Sequence, residues 1–128
     1  MTEHRLKHGF DAPSRARNLV GDAIRDALPP QAAEDAVLMI SELVGNSVRH
    51  APPDEDGNVQ LRLEVTDSTF RAIVIDAGTE FEFEHATFDA NSLHFGLQLV
   101  DRLADRWGLS LDGEKAVWFE IDRSRGTL

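Results

Sequence analysis

Apolar residues recur at helical spacing in two stretches of the chain, from Pro13 to Leu28 and from Gln31 to Ala51. Residues that return every three or four positions lie on one face of a helix. The stripe in the second stretch consists of Ala33, Val37, Ile40, Val44 and Val48. The sequence therefore predicts two amphipathic helices, separated by the pair Pro29–Pro30.

Alternating and continuous apolar runs further along predict strands. Val59 to Val65 alternates apolar and polar residues with period two, and Phe70 to Ile75 is an apolar run that follows two turn residues. These two segments predict an antiparallel hairpin. Two further short strands, Leu109 to Leu111 and Ala116 to Ile121, are predicted around a turn at Asp112-Gly113.

The segment between the predicted hairpins has a different character. Ala77 to Asn91 shows no period and is rich in phenylalanine and acidic residues, so we expect a long loop or lid there. Apolar positions from Leu97 to Trp107 then predict a third helix that ends at Gly108. Trp107 and Trp118 are interpreted as core aromatic residues.

The order of the elements predicts the fold class. They follow one another as strand, helix, helix, strand, strand, lid, helix, strand, strand. Strands that mostly neighbour one another in sequence, with helices gathered between them, favour an α+β fold. We expect a two-layer α/β sandwich, in which a mixed, mostly antiparallel sheet carries helices on one face and residues 1–128 form a single domain.

Charge and composition narrow the classes of partner. Acidic residues outnumber basic ones 23 to 13, giving a formal net charge of -10, which disfavours sequence-independent binding to nucleic acid or to an anionic membrane. The sequence has no cysteine and no apolar run of membrane-spanning length. We therefore expect a cytoplasmic protein without a membrane anchor, in which a polyanionic ligand needs local donors or a metal ion.

Three polar residues share one face of the second predicted helix. Glu42, Asn46 and His50 are spaced i, i+4 and i+8. Carboxylate and amide oxygens at this spacing are hard ligands of the kind that Mg²⁺ accepts, and a held carboxylate such as Glu42 also has the chemistry of a general base. The same pattern is typical of the solvated face of an amphipathic helix. The spacing alone leaves these interpretations open.

Two glycine-containing segments add to this pattern. Asp76-Ala77-Gly78 follows the second hairpin strand; a carboxylate there can accept a hydrogen bond from an exocyclic amine, and a glycine permits close approach of a ring. An ordinary turn is the alternative interpretation. His94-Phe95-Gly96-Leu97 opens the third predicted helix, where free backbone N–H groups can hold phosphate.

Together these segments resemble the motifs of the GHKL ATPases, which have the Bergerat ATP-binding fold. The resemblance is greatest to the small stand-alone branch that includes the bacterial anti-sigma-factor serine/threonine kinases, and it extends through Leu103–Gly108 and Val117–Glu120. The matching motifs are Glu42-Leu-Val-Gly-Asn46-Ser-Val-Arg-His50-Ala51, then Asp76-Ala-Gly78, then Gly96-Leu97.

The resemblance implies roles for the matching residues, with ATP and Mg²⁺ as cofactors. Asn46 would be the magnesium ligand and Glu42 the general base. Asp76 would accept a hydrogen bond from the adenine amine, and Gly78 would form the floor of the base pocket.

The same resemblance extends the nucleotide site and implies a reaction. Gly96 with Leu97 would be the phosphate-holding helix start, and His50 and Ala51, which end the first motif, are assigned to nucleotide binding. The implied kinase transfers the γ-phosphate of ATP to a serine or threonine of an anti-sigma-factor antagonist and alternately sequesters a sigma factor. A homodimer is a candidate assembly.

Three positions depart from the family pattern. Glu80 replaces the usual second glycine after the aspartate motif, and His94 replaces the first glycine of the phosphate loop. Ala116 lies near the place of a threonine whose hydroxyl helps complete the adenine pocket. These departures support an alternative function, a catalytically degenerate binding module that sequesters a regulatory partner without turnover. A sensor-kinase fragment is less favoured, because we expect no phosphoacceptor helix pair ahead of the domain.

Overall fold

A computed structural model describes residues 1–75, 92–111 and 114–125 of the chain. Within these ranges, helices lie at Ala12–Ile24 (α1), Pro30–His50 (α2) and Ser92–Leu103 (α3). Strands lie at Thr2–Lys7 (β1), Asn58–Val65 (β2), Thr69–Ile75 (β3), Arg106–Leu111 (β4) and Glu114–Asp122 (β5). None of the helices in the described ranges is long and apolar enough to cross a bilayer.

The strands form one five-stranded sheet in the order β1-β2-β3-β5-β4. Leu61 pairs with Val74 across the β2–β3 hairpin, and Ala72 pairs with Phe119 where β3 meets β5. All ladders between the described strands are antiparallel, so the mixed character expected of the sheet is not observed in them. The α+β class and the predicted hairpin are confirmed.

The core lies between the sheet and the helices, because alternate strand residues face the helices. Leu61, Phe70 and Phe119 are completely buried there. The two phenylalanine rings pack edge to face, with centroids 6.2 Å apart and an interplanar angle of 64°. Helix α1 turns a row of residues spaced by four toward this core: Ala12, Ala16, Val20 and Ile24.

Helix α2 is buried more widely than its predicted stripe. Ile40 and Val44 are completely buried as expected, whereas Ala33, Val37 and Val48 are only partly buried. The reason is that α2 packs against α1, against α3 and against the sheet, which encloses more than one of its faces. Its buried residues therefore also include Ala32, Ala36, Met39 and Leu43.

The third helix ends earlier than the periodicity predicted. Trp107 and Gly108 belong to β4, and Trp107 pairs with Phe119 of β5, so the prediction of a helix end at Gly108 is wrong. Trp107 packs against the core as expected. Trp118 and Phe119 point to opposite faces of the sheet. The half-buried ring of Trp118 covers Gly108 on the outer face, where a β-carbon added to Gly108 would lie 2.7 Å from Trp118 Nε1.

This outer face of the sheet carries an ion-paired cluster around Glu120. Arg71 Nε and Arg106 Nε each donate a hydrogen bond of 2.7 Å to a different oxygen of Glu120. Burial acts to raise the pKa of Glu120, but the two guanidinium groups outweigh it, and the net pKa lies below its ordinary value. The cluster joins β3, β4 and β5 across the sheet.

Candidate functional site

Helix α2 carries the three polar residues that the sequence singled out, and their exposure differs along the helix. Glu42 is half-buried, Asn46 is 1% exposed, and His50 is exposed. A solvated helix face does not bury an amide to this degree, so that interpretation is wrong for Asn46. A polar side chain this deeply buried needs hydrogen-bond partners.

Gly96 of α3 lies directly against two of these residues. A β-carbon added to Gly96 would lie 2.3 Å from Asn46 Nδ2 and 3.8 Å from Glu42 Cβ. The first distance is shorter than real β-carbon contacts, so any larger residue at position 96 requires Asn46 to move. The packing of α2 on α3 thus brings together residues from two of the three motifs.

The position of Gly96 within its helix differs from the prediction. Helix α3 begins at Ser92, which places residue 96 more than one turn inside it, where the backbone N–H is committed to the helix. The prediction that Gly96 and Leu97 form the helix start is therefore wrong. Leu97 is 8% exposed and belongs to the hydrophobic core. The assignment of both residues to nucleotide binding stays a prediction.

The two ends of the Asn46 amide have different surroundings. Oδ1 accepts a hydrogen bond of 2.6 Å from Arg49 Nη2. Nδ2 is buried and has no hydrogen-bond partner among the described residues. Leaving such a donor unsatisfied costs about 1–3 kcal/mol, so an oxygen-bearing ligand that reached Nδ2 would relieve that cost.

These residues fit a cation that arrives with a nucleotide better than a metal held by the protein alone. In the part of the chain that the structure describes, no cluster of three His, Asp or Glu side chains could hold a metal ion. Mg²⁺ commonly takes one or two protein ligands and fills its remaining positions with water and substrate phosphates. The Asn46 amide oxygen, with the Glu42 carboxylate one turn earlier, is compatible with such a site.

The C-terminal end of α2 is hydrogen-bonded to the residue that follows β1. The Ala51 N–H donates to the Ser47 carbonyl at 3.0 Å, and the Ala51 carbonyl accepts a hydrogen bond from His8 Nε2 at 2.9 Å. Because a carbonyl only accepts, Nε2 is the protonated ring nitrogen of His8 in this arrangement. His8 thus fixes the backbone of the residue that ends the first motif.

Sequence reasoning missed both His8 and Arg49. A single histidine that meets Ala51 from a distant part of the chain gives no spacing signal. Arg49 did have a spacing signal, because it follows Asn46 by three positions, a separation at which side chains on a helix are neighbours.

The remaining predicted site residues lie outside the described part of the chain. Asp76, Gly78 and Glu80 fall there, as does the predicted lid up to residue 91, and the side chain of His94 is not described. Ala116 is completely buried and pairs with Ile75, the last residue of β3. The alanine that departs from the family pattern is therefore opposite the strand end that precedes the aspartate motif.

Comparison with known protein families identifies the family of the chain. Residues 12–120 match the family described as the histidine kinase-like ATPase domain. The chain belongs to this family. The match runs from the start of α1 into β5 and so includes all three motifs. Membership of this ATPase-domain family confirms the resemblance to the GHKL proteins and implies ATP binding.

One similar protein is the serine-protein kinase RsbW of Listeria innocua serovar 6a. The two proteins are 34% identical over 68 residues. That segment covers 52% of this chain and 43% of RsbW, so the similarity spans less than half the length of that kinase.

Proposed function

We propose that this protein is a serine/threonine kinase that uses ATP and Mg²⁺ to phosphorylate an anti-sigma-factor antagonist. The observation that carries the proposal is the contact between α2 and α3, which places Gly96 against the buried Asn46 amide and near the Cβ of Glu42. The kinase activity named for the relative RsbW supports the reaction class. The GHKL resemblance supports the choice of partner.

The side chains at this contact have distinct chemical roles in the proposal. Mg²⁺ bound with ATP neutralises phosphate charge, and Asn46 Oδ1 is the described atom that would hold it. Asn46 Nδ2 would donate to an oxygen of the nucleotide. The Glu42 carboxylate would take the proton of the attacking hydroxyl, a role that contributes about 10²- to 10⁴-fold in rate.

Three further parts of the proposal are expectations from the sequence, two from the resemblance and one, the cytoplasmic location, from the composition. The protein would alternately sequester a sigma factor, it would act in the cytoplasm, and it would assemble as a homodimer. Each of these stays a prediction, which co-purification, localisation and light scattering respectively would check.

Calorimetric titration with ATP, with and without Mg²⁺, tests the nucleotide site. We expect Mg²⁺-dependent binding that Asn46→Ala weakens by at least about tenfold, the effect of losing one charge-assisted contact. Asn18→Ala is the matched control, because Asn18 is an exposed residue of α1. Equal ATP binding by the Asn46 and Asn18 variants would contradict the site.

Phosphate transfer from γ-labelled ATP to a purified anti-sigma-factor antagonist tests the reaction. We expect Glu42→Gln to reduce transfer by about 10²- to 10⁴-fold with little change in ATP affinity. Glu34→Gln, two turns earlier on the same helix, is the control. Unchanged transfer, or loss of ATP binding in Glu42→Gln, would remove Glu42 as the base.

A binding module without turnover is the second candidate, and Ala116 favours it. The completely buried methyl group supplies no hydroxyl to an adenine pocket. Losing one hydrogen bond costs about 0.5–1.5 kcal/mol, or a few-fold to about tenfold in affinity. This candidate predicts capture of the partner without nucleotide, so a pull-down that requires ATP would exclude it.

A further inference from the structure

Arg49 already occupies the one acceptor atom of the Asn46 side chain. Its guanidinium donates to Asn46 Oδ1 at 2.6 Å, and the arginine is otherwise exposed at the surface of α2. Gly45 leaves room for this conformation, since a β-carbon added there would lie 3.2 Å from Arg49 Nη1. The arginine thus folds back along its own helix onto the amide oxygen.

The same contact fixes the orientation of the amide. Turning the Asn46 side chain over would place its NH₂ group against the guanidinium, and two donors do not bond to each other. Oδ1 therefore faces Arg49, and Nδ2 faces Gly96.

We propose that Arg49 and a divalent cation compete for Asn46 Oδ1, so that the cation releases the arginine when it binds. This inference rests on the proposed function, in which the cation accompanies ATP. A guanidinium and Mg²⁺ on one small oxygen repel each other, and the donated hydrogen bond withdraws electron density from the ligating atom. In this scheme Arg49 regulates the cation site through Asn46 and is not itself a ligand of the cation.

The opposite role makes the opposite prediction. An amide oxygen has two lone pairs, so Arg49 would have to share Oδ1 with the cation if it served to orient the ligand. Outer partners that orient a metal ligand support its binding, and their removal weakens metal affinity by about 10- to 100-fold. The sign of the change on removing Arg49 therefore decides between competition and support.

The measured quantity is the coupling between nucleotide and cation. Calorimetry gives the Kd of a non-hydrolysable ATP analogue in EDTA and in saturating Mg²⁺, and their ratio is the coupling factor. Any attraction of Arg49 to phosphate acts more strongly on metal-free ATP than on Mg-ATP, so removing the charge raises this ratio by itself. A variant that keeps the charge but disturbs the contact with Asn46 separates the two effects.

Three variants complete the experiment. Arg49→Met removes the donor but keeps a long side chain with good helix propensity. We expect it to raise the coupling factor about threefold to tenfold, the size of one partly exposed charge-assisted hydrogen bond. Gly45→Ala crowds the guanidinium while keeping its charge, and should raise the factor by less. Arg25→Met changes an exposed arginine that directly follows α1 and pairs with Asp22, and it should leave the coupling factor unchanged.

The outcomes separate this inference from the proposed function. An unchanged or lowered coupling factor in Arg49→Met, with intact nucleotide binding, would overturn the competition alone. If neither the wild type nor Arg49→Met bound nucleotide, both proposals would be overturned. Binding that appears only when Arg49 is replaced, and only with Mg²⁺ present, would support the competition in its strongest form.

Discussion

Replacing Gly96 with alanine tests the contact on which the candidate site depends. The added methyl group would lie 2.3 Å from Asn46 Nδ2, in a region where Asn46 is 1% exposed and has little space to move. Gly21 provides a matched control. It lies inside α1, and a β-carbon added there meets nothing within 4 Å.

The expected magnitude comes from two opposing terms. Alanine replaces glycine inside a helix with a gain of about 0.5–1 kcal/mol, and Gly21→Ala should show this gain alone. At Gly96 the overpacked methyl costs about 1–3 kcal/mol, so the net change lies between about zero and 2.5 kcal/mol of destabilisation. The propensity gain cancels between the two variants. Their difference, about 1–3 kcal/mol, measures the tightness of the contact.

Urea unfolding provides the assay, with the free energy of unfolding taken from the midpoint at a shared slope. Calorimetry with ATP provides the second readout, because displacing Asn46 should weaken nucleotide binding in Gly96→Ala and leave Gly21→Ala unchanged. If Gly96→Ala were as stable as Gly21→Ala and bound ATP like the wild type, the close approach of α3 to Asn46 would be refuted.

Other predictions concern the sheet. Phe119→Ala should destabilise the protein by about 3–5 kcal/mol in urea unfolding, because it leaves a cavity beside Phe70; a loss below about 1 kcal/mol would contradict the burial. The pKa of Glu120 is lowered in the folded protein, so its contribution is present above its ordinary pKa of 4.5 and is lost as the pH falls through the lower folded value. Glu120→Gln should therefore flatten the fall in stability below that pH, and an unchanged acid profile would count against the pairing. Gly108→Ala should displace the Trp118 ring and shift its fluorescence to longer wavelength, whereas an unaltered spectrum would refute their contact.

Periodicity predicted the elements whose signal is local. The helix from 31 to 51 and the hairpin from 59 to 75 show patterns that the structure confirms within one residue at most boundaries. Periodicity failed at Trp107 because apolar residues continue a helical spacing after Leu103, although the chain has already entered β4. The pairing of Trp107 with Phe119 decides that position, and it depends on another segment of the chain.

For the site, motif spacing predicted the residue types but not their contacts. Glu42 and Asn46 were identified because they share one face of a helix. The sequence pattern was equally compatible with a solvent-exposed helix face, and the burial of Asn46 in the structure excludes that interpretation for this residue. The close approach of Gly96 to Asn46 depends on how two helices pack, which no local pattern encodes. The bond from His8 to Ala51 is likewise a product of the assembled fold.

The strand order also determines at which stage of folding the candidate nucleotide site forms. The β2–β3 and β4–β5 hairpins join neighbouring segments, and hairpins form in about 1–10 μs. Helix α2 lies in the loop closed when Lys7 pairs with Asn58, and α3 lies in the loop closed when Ile75 pairs with Ala116. Such long-range pairing is slow, so Asn46 and Gly96 meet only late. Nucleotide should therefore slow unfolding without speeding the early steps of refolding.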